Sequence, residues 1–141
     1  VFPVVIHHNP DCGTSRNVLR IIEAAGYTPT IIDYLREGWT RPHLLALLAA
    51  AGVTPREALR EQKTPAADLG LLDPSVSGDQ LIAAMIEHPI IVQRPFVATP
   101  KGVKLCRPDS GSVLDLLDSW PKGPFHKEDG SLLIDADGKR I

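Results

Sequence analysis

The chain has 141 residues, 43% apolar and 23% charged, with a formal net charge of −2 and a pI near 6.2. That length suits one domain with its own core, and that balance excludes a disordered chain. The mild acidity gives no reason to expect nucleic acid or an anionic membrane as partner, and no apolar run reaches the roughly 18 residues of a transmembrane helix.

Residues 2–7 (FPVVIH) read as a short buried strand ended by Asn9-Pro10. Residues 14–25 read as an amphipathic helix, with Val18, Leu19, Ile21, Ile22 and Ala25 on one face and Gly26 closing it. Residues 28–34 read as a second strand, so the first third of the chain is a βαβ unit, for which parallel strands and a right-handed crossover are expected. Thr40 and Pro42 open a helical stretch over residues 44–51, ended by Gly52. Thr54-Pro55-Arg56-Glu57 has the capping-box pattern and predicts a short helix to about Gln62. Residues 64–77 form a Pro/Asp/Gly-rich loop, and Ser77 starts a helix that Pro89 stops. Residues 90–108 read as a hairpin about Pro100-Lys101-Gly102, residues 110–117 as a last helix, and the turn-rich tail from Trp120 holds a small strand at 132–134. The expected class is α/β, βαβ followed by helices and then ββα, a single domain over 1–141 with a helical insertion at about 40–88 and a tail at about 120–141.

Two cysteines, Cys12 and Cys106, are too few for a disulfide scaffold and suit a reducing compartment, so a cytoplasmic location is expected; no signal-peptide pattern is present. Cys12 falls where the first strand gives way to the first helix. There unpaired backbone N–H groups and the positive end of the helix dipole favour a thiolate and hold anions. A protonated His8 beside it would favour the thiolate further, whereas His7, on the opposite strand face, packs or meets solvent. Ser15 stands where a dithiol protein has its second cysteine, so any redox cycle must use an external thiol or Cys106; the packed-strand setting of Leu105-Cys106 favours the external thiol. Arg94 and Arg107 each precede a proline close to predicted strands, and Arg60 lies on the predicted short helix. Guanidiniums converging on a thiolate would bind a multiply charged oxyanion, but convergence is not legible from spacing. Pro95 is a site for a cis peptide. Position 18 is Val18, where a phosphatase-type loop needs arginine, and no metal-ligand spacing, dinucleotide fingerprint or P-loop occurs.

His8-Asn9-Pro10-x-Cys12-Gly13-Thr14-Ser15-Arg16-Asn17, Glu87-His88-Pro89-Ile90, Arg94-Pro95, Thr99-Pro100, Leu105-Cys106-Arg107-Pro108 and Lys127-Glu128-Asp129-Gly130 together resemble the glutaredoxin-coupled arsenate reductases (ArsC), over essentially the whole chain. The resemblance implies a thioredoxin-like (glutaredoxin-like) fold with inserted helices and the reduction of arsenate to arsenite. It matches Cys12 to the nucleophile that becomes arsenylated, His8 and Ser15 to its thiolate environment, Arg60, Arg94 and Arg107 to the substrate arginines, with Gly13 and Thr14 beside them, and Pro95 to the fold's cis-proline. It implies glutathione as co-substrate, glutaredoxin as partner, and no metal or tightly bound cofactor. Spx-like proteins that bind RNA polymerase resemble the same fold, but usually carry C-x-x-C and lack this arginine set; an ArsC-like thiol reductase acting on another substrate is the other alternative.

Overall fold

The computed structural model describes residues 2–141; Val1, the first residue of the expected domain, lies outside the described residues. The chain divides into two compact units, one combining Val1–Ile32 with Arg94–Ile141 and the other formed by Asp33–Gln93.

The first unit is built on strands β1 (Val5–His8), β2 (Thr30–Asp33), β3 (Phe96–Thr99) and β4 (Gly102–Leu105), in the order β2-β1-β3-β4. β1 and β3 are antiparallel, with Ile6 opposite Val97, and β3 and β4 form the expected hairpin, with Phe96 opposite Leu105. Helix α1 (Gly13–Ala24) connects β1 to its neighbour β2. Val18, Ile21 and Ile22 on its apolar face are fully buried, together with Ile6, Val97 and Cys106. Each such aliphatic side chain contributes on the order of 1.5–3 kcal/mol by burial. The segment read as a last helix, Ser110–Leu116, is instead a 3₁₀ helix. Asp109 caps it at the Gly111 N–H, 2.9 Å away, and Gly111-Ser112 within it favours neither a long nor a regular α-helix. In the tail, Leu132–Ile134 (β6) pairs with a strand not foreseen, Phe125–His126 (β5), across the Asp129-Gly130 turn.

The second unit contains α2 (Tyr34–Glu37), α3 (Arg41–Ala51) and α4 (Gly78–Glu87). The cap signals fall where expected. Thr40 accepts from the His43 N–H, Gly52 closes α3 at φ 68°, and Ser77 with Gln80 makes a complete capping box. Tyr34, read as the end of a strand, starts the one-turn helix α2.

The helix predicted from Thr54 does not form. Its reciprocal cap contacts are made, Thr54 N–H to Glu57 Oε1 at 3.0 Å and Glu57 N–H to Thr54 Oγ1 at 3.2 Å, but only turns follow. Leu59 pairs with Val92 as an isolated antiparallel bridge, flanked by Arg60 N–H to Ile91 O (2.7 Å) and Gln93 N–H to Ala58 O (2.8 Å). A helix of two turns is marginal alone, and burial of Ala58 and Leu59 in the bridged conformation outweighs it. Arg60 is therefore on an extended segment, not on a helix.

Candidate active site

The turn before α1 is fixed by its own side chains. Asn9 Oδ1 accepts from the Asp11 N–H at 2.9 Å and Asn9 O from the Cys12 N–H at 3.1 Å, so the chain reverses just before the thiol. Cys12 then occupies the N-cap of α1 with extended backbone, and its carbonyl accepts the first helical bond, from Arg16 N–H at 3.0 Å. The backbone N–H groups of Gly13, Thr14 and Ser15 lie in the first turn, where no helical carbonyl can reach them.

Two guanidiniums meet the sulfur, one from just before β3 and one from just after β4. Arg107 follows β4 and donates from Nη1 to Cys12 Sγ at 3.4 Å and to the Arg94 carbonyl at 3.0 Å. Arg94 is buried, and its side chain hydrogen-bonds the same thiol. A buried guanidinium needs an anionic partner, and the thiolate supplies one. The Arg94–Pro95 peptide is cis, as is Arg107–Pro108. Burial pushes the Cys12 thiol up, but the Ser15 backbone N–H, the Arg107 and Arg94 side chains and the Arg107 charge outweigh it and bring the pKa to about 7. Near neutrality about half of the thiol is thiolate.

Ser15 is shared. Its Oγ lies 2.6 Å from His8 Nδ1 and accepts from the Asn9 N–H at 3.1 Å. His8 is thus linked to the thiol's surroundings through Ser15. His7 packs at the centre of the sheet, its Nδ1 3.3 Å from Phe96 O. Arg60, in the second unit, directs Nη1 to Gln93 Oε1 at 3.4 Å, while its carbonyl accepts from Thr64 Oγ1 at 2.7 Å. Asn9, which is almost fully buried and shapes the turn, was legible only as a turn residue before proline. Arg16 was legible only as part of the motif; its guanidinium bonds Pro10 O at 2.9 Å and Glu128.

Cys106 is a different kind of cysteine. It is fully buried in the core of the first unit, and burial pushes its thiol up to about 12. It is a small hydrophobe in a packed strand end, as its sequence setting suggested. Cys106→Ser is expected to leave alkylation of Cys12 by iodoacetamide within about twofold of the native rate, since so protonated a thiol is a poor nucleophile. Among the described residues no group of three or more His, Cys, Asp or Glu could hold a metal ion, and no helix is long and apolar enough to cross a membrane.

A low-pKa thiol at a helix mouth, with guanidiniums donating to it beside a four-stranded sheet, has the chemistry to hold an oxyanion next to a sulfur nucleophile. The sequence profile of the ArsC family matches residues 7–112, and the chain belongs to that family. It is 64% identical over 138 residues to an arsenate reductase of Synechocystis, covering 98% of each chain, and 56% identical to an arsenate reductase of Rhizobium meliloti with the same coverage. Its structure superposes on the arsenate reductase from Vibrio cholerae with a TM-score of 0.77 at 35% identity, over 83% of this chain and 99% of that one. The fold is accordingly the expected thioredoxin-like α/β arrangement with helices following the βαβ unit.

Proposed function

We propose that this protein is an arsenate reductase, an oxidoreductase in which Cys12 is the nucleophile and arsenate the substrate. The observation that carries the reading is the Arg107 Nη1 to Cys12 Sγ hydrogen bond at 3.4 Å, beside a thiol whose pKa is about 7. The named activity of relatives at 56–64% identity supplies the substrate.

The chemistry follows from the residues. The guanidiniums of Arg94 and Arg107 and the N–H groups of Gly13 and Thr14 neutralise the bound oxyanion. The Cys12 thiolate attacks arsenic, forming an S–As bond while a protonated oxygen leaves as water. Glutathione displaces a second oxygen, again as water. A glutaredoxin thiolate then attacks the glutathione sulfur, and the electron pair of the broken S–As bond goes to arsenic, which falls from As(V) to As(III). The two electrons come from the two external thiols, which end as a mixed disulfide, and hydrolysis releases arsenite and the Cys12 thiol. His8 and Ser15 maintain the thiol's environment, and Pro95 shapes the wall of the site. Arg60 belongs to the second unit; its role as an oxyanion ligand rests on the family resemblance alone. The chain is read as one functional domain and, from two free thiols and no disulfide, as cytoplasmic.

The test is arsenate-dependent NADPH consumption with glutathione, glutaredoxin and glutathione reductase. Oxidation that requires arsenate, glutathione and glutaredoxin supports the reading, and its absence overturns it. The pH dependence is a second check. The thiol pKa is depressed, so thiolate predominates above about 7 and is lost as pH falls through it. Alkylation of Cys12 by iodoacetamide should therefore be about tenfold slower at pH 6 than on its alkaline plateau. A midpoint above 8 would remove the guanidiniums from the role given them.

A further inference from the structure

Cys12 and Arg107 lie 95 residues apart in sequence, and each sits beyond the end of a strand, Cys12 after β1 and Arg107 after β4. Sheet pairing and the Asn9 turn hold the backbone on each side, and apolar packing joins Val18, Ile21 and Ile22 of α1 to Val113 and Leu114 in one core, but that packing is not directional. Yet the Arg107 to Cys12 contact is of hydrogen-bond length, a geometry that weakens steeply with displacement. We infer that residues 125–140 are a positioning strap of the reactive site, tying the helix that carries Cys12 to the segment that follows Arg107.

At one end the strap grips the first turns of α1. The Glu128 carboxylate accepts from Arg16 Nε at 2.9 Å and Nη2 at 2.7 Å, a forked pairing that fixes orientation as well as distance. The Glu128 N–H donates to Asn17 Oδ1 at 2.8 Å, and the Arg20 guanidinium lies 5.3 Å from the Phe125 ring centroid. The remaining arm of Arg16, Nη1, holds Pro10 O at 2.9 Å, two residues before the thiol. Glu128 thus reaches the reactive loop through Arg16.

At the other end the strap closes on the segment after Arg107. Arg140 Nη1 donates to Asp115 Oδ1 at 3.0 Å, and its Nη2 is 3.6 Å from Asp109 Oδ2, two residues past Arg107. Between the two, Leu133 is buried against Gly111 so closely that a β-carbon there would stand 2.8 Å from Leu133 Cδ1. The strap therefore packs on backbone at that point. Exposed ion pairs are individually weak, so the expected effect of cutting one is a modest displacement, not unfolding.

The test compares Glu128→Ala and Arg140→Ala in a Cys106→Ser background, by the pH profile of Cys12 alkylation with iodoacetamide and by thermal melting. Both variants, cut at opposite ends, are expected to raise the alkylation midpoint, slow alkylation at pH 7 about threefold or more, and lower kcat/KM to a similar degree. Their double variant should cost less than the product of the singles. A purely electrostatic role gives the opposite sign for Glu128→Ala, because Arg16 is then left uncompensated and favours the thiolate. A lowered or unchanged midpoint in either variant, with or without a lower melting temperature, overturns the proposal. If Glu128→Ala does not fold, Glu128→Gln keeps the side-chain volume and is read in the same way. The inference rests on Cys12 being the nucleophile, but alkylation needs no arsenate. A chain that failed to reduce arsenate would therefore refute the proposed function while leaving the strap open to the same measurement.

Discussion

Cys12→Ser is expected to abolish arsenate-dependent NADPH oxidation, by on the order of 10⁴-fold or more. Serine preserves the size and position of the side chain at the N-cap of α1, so folding and the anion-binding turn should survive. What it removes is the ionised nucleophile. A hydroxyl beside Arg94 and Arg107 stays protonated at neutral pH, whereas the thiol with its pKa of about 7 is half ionised there. The native and variant chains should melt within a few degrees of each other. Turnover remaining within tenfold of native would sink Cys12 as the attacking group.

Arg107→Ala should cost about 10²-fold in kcat/KM. Its Nη1 serves two acceptors at once, Cys12 Sγ and the Arg94 carbonyl, so the substitution deletes one charge-assisted bond to the thiolate and one that fixes the neighbouring arginine. A hydrogen bond to a charged group is worth about 1.5–3 kcal/mol, roughly 10- to 150-fold. The loss has two parts that pH separates. Without Arg107 the thiol pKa rises, and assay at higher pH restores that part by regenerating thiolate. The part due to weaker oxyanion capture persists at all pH and appears as a raised KM. Arg107→Lys keeps the charge but cannot reproduce the fork, and should fall between the two. An unchanged kcat/KM in Arg107→Ala would remove this arginine from the site.

The reactive loop was the most legible part of the molecule, because its determinants are local. Asn9-Pro10 turns the chain, Gly13-Thr14-Ser15 opens the helix, and the apolar period of Val18, Ile21 and Ile22 requires α1 to pack on the sheet. Those residues alone place a thiol at a helix N-terminus. The capping residues Thr40, Ser77 and Gly52 were legible for the same reason. Where a local pattern is overridden, a partner distant in sequence decides. Thr54 and Glu57 make the cap contacts their pattern predicts, but residues 58–60 are taken by the segment at 91–93, and the helix is lost to a bridge. The tail showed only turns and one small strand, since its role lies in what it touches.

Local sequence therefore points to the kind of chemistry proposed: a thiol at a helix mouth, without a local resolving cysteine, in a chain whose motifs match the ArsC pattern. The tertiary structure decided which charges reach that thiol. Arg94 and Arg107 meet Cys12 because β3 lies between β1 and β4, antiparallel to both, which brings the end of β1, the start of β3 and the end of β4 to one edge, and because residues 125–140 bind both flanks of the contact. Spacing along the chain carries no such information. A hydrogen bond between residues 95 apart depends on strand order and packing, which only the folded chain defines.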